Sequence, residues 1–386
     1  MRVLISGGGT GGHIYPALAV ATQLRDIYNA DILYLGSDDG LETQLVPAAG
    51  FRMATIKAGK LQRYVSVKTA KSLARVPVGM VQALNIVREF HPDVAFTSGG
   101  YVSVPTGLSA RIHKVPLLLH QQDVPPNLSN KLIAPFATKI SVAFADSRHF
   151  FPAHKTLLLG NPIRKEILAA RAMSSQQARA QLGFDPAVPL LLVTGGSQGA
   201  RHLNQVVARA LPTLLQRCQV LQISGQKLYE ETRKLAEEMT DGLDETVRGR
   251  YRLVPYMSDE MPAALQAAEL VLCRSGASTL SELAVMEKPG LLIPLPPAIG
   301  SSPQEANAET FARAGAAISI RNDDLQPASL LEQVEATIFA PERLQVMAQA
   351  LKGFARPAAT KDIVEAVVKL GGGNIQQVVE HEGINS

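Results

Sequence analysis

An α/β fold of two domains, each a parallel sheet wrapped by helices, is what this sequence predicts. Three observations carry the prediction. A glycine-rich strand-to-helix turn occurs twice, once at the start of each half of the chain. Short apolar runs bounded by Gly, Pro and Asp recur with spacers long enough for helical crossovers, the grammar of a parallel sheet. The length of 386 residues exceeds what one ordinary core accommodates.

The first turn reads Val3-Leu4-Ile5-Ser6-Gly7-Gly8-Gly9-Thr10-Gly11-Gly12-His13 and runs into the apolar helical pattern Ala17-Leu18-Ala19-Val20. The second reads Leu190-Leu191-Leu192-Val193-Thr194-Gly195-Gly196-Ser197-Gln198-Gly199-Ala200 and runs into Leu203-Asn204-Gln205-Val206-Val207. Glycines let a backbone turn sharply and come close to a ligand, and the helix that follows offers phosphate its free N–H groups and positive dipole end. Two such turns imply two facing nucleotide-type folds with a cleft between them, and chemistry on diphosphates. Strands are expected in the first half at Arg2–Ser6, Asp31–Leu35, Arg52–Ile56, Asp93–Thr97, Val115–His120, Thr138–Val142 and Thr156–Leu159. The second half repeats the pattern at Leu190–Thr194, Val220–Ser224, Tyr251–Val254, Leu270–Cys273, Gly290–Pro294 and Ala316–Ile320. Gly160-Asn161-Pro162-Ile163-Arg164 punctuates the middle, which sets the domains at 1–162 and 163–350, and a polar helical stretch Met173–Leu182 follows it. A closing region, 351–371, holds a helix over Lys361–Leu370 with Thr360 as N-cap and Gly371 as stop. Residues 372–386 read as a flexible tail.

Composition narrows the class. Hydrophobic residues make up 46% and charged residues 19%, which is globular usage. No apolar run reaches the roughly 18–20 residues that span a bilayer, and a short strand followed at once by glycines lacks the grammar of a signal peptide. The two cysteines, Cys218 and Cys273, sit in apolar contexts without a partner motif, which predicts core packing in a reducing cytoplasm. A formal charge of +4 is too weak and dispersed to argue for nucleic acid, and the absence of Trp leaves few stacking platforms. One stretch is different: from Lys60 to Arg75, five basic residues interleave with apolar ones and no acid intervenes. Such a segment suits an anionic leaflet, or else a solvated helix face ahead of a core helix through Val78–Val87.

Candidate chemistry gathers at the turns. His13 lies at the rim of the first, beside Thr10, Gly11 and Gly12; an imidazole there suits hydroxyl deprotonation near neutrality, or simply bonds a carbonyl. The second turn offers Ser197, Gln198 and Gly199 at a helix start. Arg164 can clamp a diphosphate with its fork or make a hinge salt bridge. In Cys273-Arg274-Ser275-Gly276-Ala277-Ser278-Thr279-Leu280-Ser281-Glu282, a strand ends and Ser278 or Thr279 starts a helix with Glu282 in its first turn. That carboxylate can accept from the two hydroxyls of a ribose, or cap the helix. Gln304 and Asn307, three apart, share a helical face and read as sugar-binding or as surface amides. His120, at a strand end, is as well explained as a structural histidine. No paired-acid clamp, zinc spacing or hydrolase nucleophile elbow is present, so no metal or other cofactor is expected.

Taken in order, these segments resemble the bacterial MurG family of N-acetylglucosaminyltransferases. The resemblance rests on Gly8–Ala17, Ser98-Gly99-Gly100-Tyr101-Val102-Ser103, Leu119-His120-Gln121-Gln122-Asp123, Gly160–Arg164, Gly195–Ala200 and Arg274–Glu282, and it covers residues 1 to about 320. It implies a GT-B fold of two Rossmann-like domains, with the last helix crossing back to the first. It also implies an inverting transfer of GlcNAc from UDP-GlcNAc to the C4 hydroxyl of lipid I, the undecaprenyl-diphosphate-linked muramoyl-pentapeptide, at the cytoplasmic face of the membrane. Carried over, Arg164 and Ser197 meet the diphosphate, the Met257 backbone meets uracil, Glu282 the ribose, Ala277–Ser281 the nucleotide and Gln304 the GlcNAc. Thr10, Gly11, Gly12 and His13 hold the acceptor, with His13 as base. The sequence departs from the family at Gln121-Gln122-Asp123, where Glu-Gln-Asn is usual and Asp123 cannot donate as an amide does, and at Pro303, where a His is usual. Other GT-B enzymes, such as glycolipid glycosyltransferases and UDP-GlcNAc 2-epimerases, and a non-catalytic nucleotide-sugar-binding protein stay open at this level.

Overall fold

The computed structural model describes residues 1–58, 67–196, 198–296 and 304–374. They form two compact units: those within residues 1–163 together with 357–374, and those within residues 164–356.

The first unit holds seven parallel strands: β1 (Arg2–Ser6), β2 (Asp31–Ser37), β3 (Arg52–Ile56), β4 (Val94–Thr97), β5 (Leu117–Gln121), β6 (Lys139–Val142) and β7 (Thr156–Leu158). Their spatial order is β3-β2-β1-β4-β5-β6-β7. Val3, Leu4 and Ile5 are fully buried, as expected of a central parallel strand covered on both faces. The helices are α1 (Gly11–Tyr28), α2 (Glu42–Ala48), α3 (Val67–Phe90), α4 (Ser103–Ile112) and α5 (Leu128–Ile133). The order reverses between β1 and β4. Ligands in open parallel sheets bind beyond the carboxyl ends of strands at such a reversal.

The second unit has α6 (Lys165–Ala170), α7 (Ser175–Gln181), β8 (Leu190–Thr194), α8 (Arg201–Leu214), β9 (Gln219–Ile223), α9 (Tyr229–Thr240), α10 (Glu245–Arg248) and β10 (Tyr251–Val254). It continues with α11 (Met261–Ala267), β11 (Leu270–Cys273), α12 (Ala277–Met286), β12 (Gly290–Leu292), α13 (Gln304–Arg313), β13 (Ala317–Ser319), α14 (Pro327–Ile338) and α15 (Pro341–Leu351). Its strand order, β10-β9-β8-β11-β12-β13, reverses between β8 and β11. Cys218 and Cys273 are buried free thiols, both pushed up to about 12 by burial, which agrees with core packing.

The last helix, α16 (Ala359–Leu370), belongs to the first unit. It buries Ile363, Val364, Val367 and Val368 against α1 and the sheet. Its start differs from the sequence expectation: Ala358 is the N-cap, and Thr360 lies inside the helix. The Thr360 hydroxyl is used elsewhere, accepting from the Ile163 N–H at 3.2 Å and lying 3.3 Å from its carbonyl.

Candidate functional site

In the first unit the loops after β1 and β4 meet backbone to backbone. The Gly8 N–H donates to the Gly99 carbonyl at 3.4 Å, and a Cβ on Gly100 would stand 2.2 Å from the Gly8 carbonyl oxygen. Gly9 (φ +89°), Gly99 (φ +101°) and Gly100 (φ +91°) occupy the left-handed half of backbone space. Only glycine can supply both that conformation and that closeness. Thr10 is the N-cap of α1 and its side chain makes no capping bond. The open N–H groups at the helix start therefore come from Thr10, Gly11 and Gly12, while those of Gly8 and Gly9 are already bonded inside the protein.

His13 is partly exposed in the first turn of α1. Its Nδ1 lies 2.8 Å from the Ser98 carbonyl oxygen, which can only accept, so Nδ1 carries the proton and Nε2 the lone pair. Gln122 donates to the same carbonyl at 3.0 Å, and the Ser98 hydroxyl donates to the His13 carbonyl at 2.6 Å. Desolvation lowers the His13 pKa below its ordinary value, opposed by the nearby Asp123 charge and the Ser98 bond. The ring rests on Gly99, where a Cβ would come within 3.0 Å of it. Both readings of this histidine hold at once: one nitrogen bonds a carbonyl and the other keeps a lone pair.

His120 is spent structurally. It is fully buried, with Nε2 2.9 Å from Asn161 Oδ1 and Nδ1 2.8 Å from Ser141 Oγ, and burial lowers its pKa to about 4.

In the second unit the loop after β8 packs on the loop after β9: a Cβ on Gly199 would lie 2.1 Å from the Ser224 carbonyl, and one on Gly225 2.7 Å from the Gly199 Cα. The Gly199 N–H closes this turn onto the Gly196 carbonyl at 2.9 Å, whereas Gln198 is exposed. Ala200 caps α8 without a side-chain bond. Ser197 and Pro303 lie outside the described residues, as do residues 375–386.

Across the reversal from β8, α12 corrects the sequence reading. It starts at Ala277 with Gly276 as N-cap, so Ser278 and Thr279 are already inside it and Glu282 falls beyond the first turn. The displaced carboxylate no longer caps the helix. It pairs instead with Arg164, whose Nε and Nη2 both lie 3.1 Å from Oε1. Burial raises the Glu282 pKa, and the Arg164 charge partly offsets that. Leu280 is fully buried, Ala277 and Ser281 nearly so, and the Ser281 hydroxyl bonds back to the Ala277 carbonyl. Met257 is buried in the segment after β10.

Gln304 begins α13 and accepts the Leu295 N–H through Oε1 at 3.0 Å. Asn307 is fully buried and donates to the Ser275 carbonyl at 3.1 Å, which overturns the reading of this residue as a surface amide. The pair braces the loop after β11 from the side: Ser275 Oγ donates to the Gln304 carbonyl at 2.8 Å.

Sequence reasoning missed the network behind the first loop. Glu42, fully buried at the start of α2, accepts from the Gly9 N–H at 3.2 Å and from Ser37 through its N–H (3.0 Å) and hydroxyl (2.7 Å). Tyr101 joins through its hydroxyl at 2.8 Å from Ser37 Oγ, and Tyr34 donates to the Gly7 carbonyl at 2.5 Å. An acid opening a helix looks the same in sequence whether it faces water or a loop backbone, so no local signal marks Glu42.

Residues 3–142 match the glycosyltransferase family 28 N-terminal domain, and residues 190–363 the glycosyltransferase family 28 C-terminal domain. Two doubly wound units with glycine loops at their strand-order reversals thus define a glycosyltransferase of GT-B fold. The chain is 37% identical over 369 residues to a UDP-N-acetylglucosamine–N-acetylmuramyl-(pentapeptide) pyrophosphoryl-undecaprenol N-acetylglucosamine transferase of Caldanaerobacter subterraneus subsp. tengcongensis, across 95% of this chain and 99% of the relative. It is 39% identical over 369 residues to the protein of the same name from Desulfitobacterium hafniense, across 95% and 98%. The crystal structure of Acinetobacter baumannii MurG is similar, with a TM-score of 0.73 and 26% identity over 95% of this chain and 99% of that one. A UDP-GlcNAc 2-epimerase from Neisseria meningitidis shares the fold, with a TM-score of 0.66 at 15% identity over 96% of this chain and 100% of that one. The chain belongs to the MurG family.

Proposed function

We propose that this enzyme transfers GlcNAc from UDP-GlcNAc to the C4 hydroxyl of the muramoyl sugar of lipid I, with inversion at C1, to give lipid II. The observation that carries the mechanism is the His13 imidazole, held neutral with its Nδ1 proton committed to Ser98. Nε2 takes the acceptor's hydroxyl proton as the oxygen bonds to C1 and the C1–oxygen bond to UDP breaks. The positive ring that results gains from the Asp123 carboxylate, whose charge already favours protonation. The open N–H groups of Thr10, Gly11 and Gly12 face the acceptor diphosphate.

On the donor side, the start of α8, with Ser197, Gln198 and Gly199, and the Arg164 guanidinium stabilise departing UDP. Glu282 holds Arg164 before the donor arrives and meets the ribose once it is bound. The α12 residues Ala277, Ser278, Thr279, Leu280 and Ser281 support the nucleotide largely through backbone, since Leu280 points inward. The Met257 backbone takes the uracil, and Gln304, seconded by Asn307, takes the sugar.

The acceptor's lipid calls for peripheral contact with an anionic membrane, here placed at the cytoplasmic face. Among the described residues no helix is long and apolar enough to cross a membrane. The basic segment from Lys60 falls outside the described residues up to Ser66, and the side chains on to Arg75 are likewise outside. Support comes from α5 and the turn after it, where Leu128, Leu132 and Phe136 are exposed beside Lys131.

The test is transfer of radiolabelled GlcNAc from UDP-GlcNAc to a short-chain lipid I analogue. His13→Ala should lower kcat about 10²–10⁴-fold and leave the donor KM unchanged. Near-normal turnover removes His13 as base, and UDP-GlcNAc binding without any transfer turns the reading to a non-catalytic binding protein.

A further inference from the structure

We propose that Glu42 is a positioning residue for the acceptor-binding loop, acting through Gly9 to set the start of α1 and with it His13. The inference rests on the reading that this loop serves the acceptor. Glu42 is 0% exposed, and among the described residues no cation pairs with it. Its partners are a backbone N–H on the loop, a backbone N–H at the end of β2, and the Ser37 hydroxyl. A buried carboxylate held only by such donors carries a large desolvation penalty, and apolar side chains fill a core at lower cost. Its presence is explained by what it holds.

Three glycines make room for it. A Cβ on Gly8 would lie 2.6 Å from Glu42 Oε1, one on Gly36 2.7 Å from its Cγ, and a Cβ on Gly40 would collide with the carboxylate itself. The sequence thus clears space on three sides of one side chain, from the first loop, from β2 and from the turn before α2. Oε2 takes the Gly9 N–H, and Gly9, at φ +89°, is the residue whose conformation sends the chain into the N-cap Thr10. The Tyr101 ring closes the far side, where a Cβ on Gly9 would meet it at 2.8 Å, while the Tyr101 hydroxyl is tied to Ser37. Gly9 is therefore gripped between a carboxylate and an aromatic ring joined through one serine.

The division of labour between the two oxygens supplies a selective test. Oε1 serves Ser37 and Oε2 serves Gly9. In Glu42→Gln the single oxygen satisfies the two Ser37 donors, and the amide NH2 then faces the Gly9 N–H, donor against donor. The fold should survive, with UDP-GlcNAc binding unchanged. The acceptor KM should rise about tenfold or more, while the donor KM stays within twofold. Hydrogen–deuterium exchange across residues 7–12 should quicken at least tenfold, with no change in β8–β13. Ser37→Ala, a milder change, should shift the same quantities in the same direction by a few-fold and serves if Glu42→Gln does not fold. Unchanged acceptor KM and unchanged exchange in folded Glu42→Gln overturn the proposal. So does an equal loss on the donor and acceptor sides, which marks general destabilisation. If the wild-type protein transfers no sugar, the acceptor reading fails, and exchange at residues 7–12 still decides whether Glu42 positions the loop.

Discussion

Two histidines at the carboxyl edge of one sheet are given opposite chemistry by their partners. His120 uses both ring nitrogens, one toward Ser141 and one toward Asn161, whereas His13 commits only Nδ1. With His13 as the proposed base, the acid limb of kcat/KM should have its midpoint below 6.5, because the base must be neutral and burial lowers its pKa. A pH–rate profile checks this, and a midpoint at or above 7 contradicts it. His120, lowered to about 4, binds its proton less readily folded than unfolded. It therefore contributes stability that is complete above about 6.5 and lost as pH falls toward 4. Urea unfolding of wild type and His120→Gln should show the difference between them shrinking across that window. Lys288 gives the alkaline counterpart: buried, with Nζ near Ser175 Oγ and the Gln266 and Ala268 carbonyls, its pKa falls to about 8. Between about 8 and the unfolded value near 10.4 the unfolded chain binds the extra proton, so stability should rise with pH there, and Lys288→Met should lack that rise.

Among the elements, the strands are the most legible part, because most of these buried parallel strands are apolar runs with a glycine, proline or aspartate within three residues of their ends. Helix starts were harder to read. Ser278, Thr279 and Thr360 all have the chemistry of a cap, yet the caps are Gly276 and Ala358, and all three residues lie within the first turn instead, the Thr360 hydroxyl serving Ile163. Local sequence shows that a residue can cap, but only packing shows whether it does. For the same reason the glycine loops were visible and the buried acid behind one of them was not. The loops carry their own prediction. Gly100→Ala combines φ +91° with a 2.2 Å approach to the Gly8 carbonyl. It should cost at least about 1–3 kcal/mol in thermal or urea unfolding and reduce acceptor turnover, with UDP-GlcNAc binding retained.

For the molecule as a whole, one plan is used twice: a sheet whose strand order reverses beside its first strand, with a glycine loop at the reversal. The two copies differ in how they are completed. The second unit is continuous in sequence, whereas the first draws its final layer from α16, about two hundred residues after its last strand. Ile363 is fully buried, so Ile363→Ala should destabilise the first unit by about 2–5 kcal/mol, read as a lowered melting temperature. That arrangement also sets a timetable for synthesis. While the ribosome is still making the second half, the nascent first half has an apolar flank on α1 waiting for a helix not yet translated. The first unit is thus the last to mature, and a prematurely terminated polypeptide leaves the ribosome with that flank uncovered.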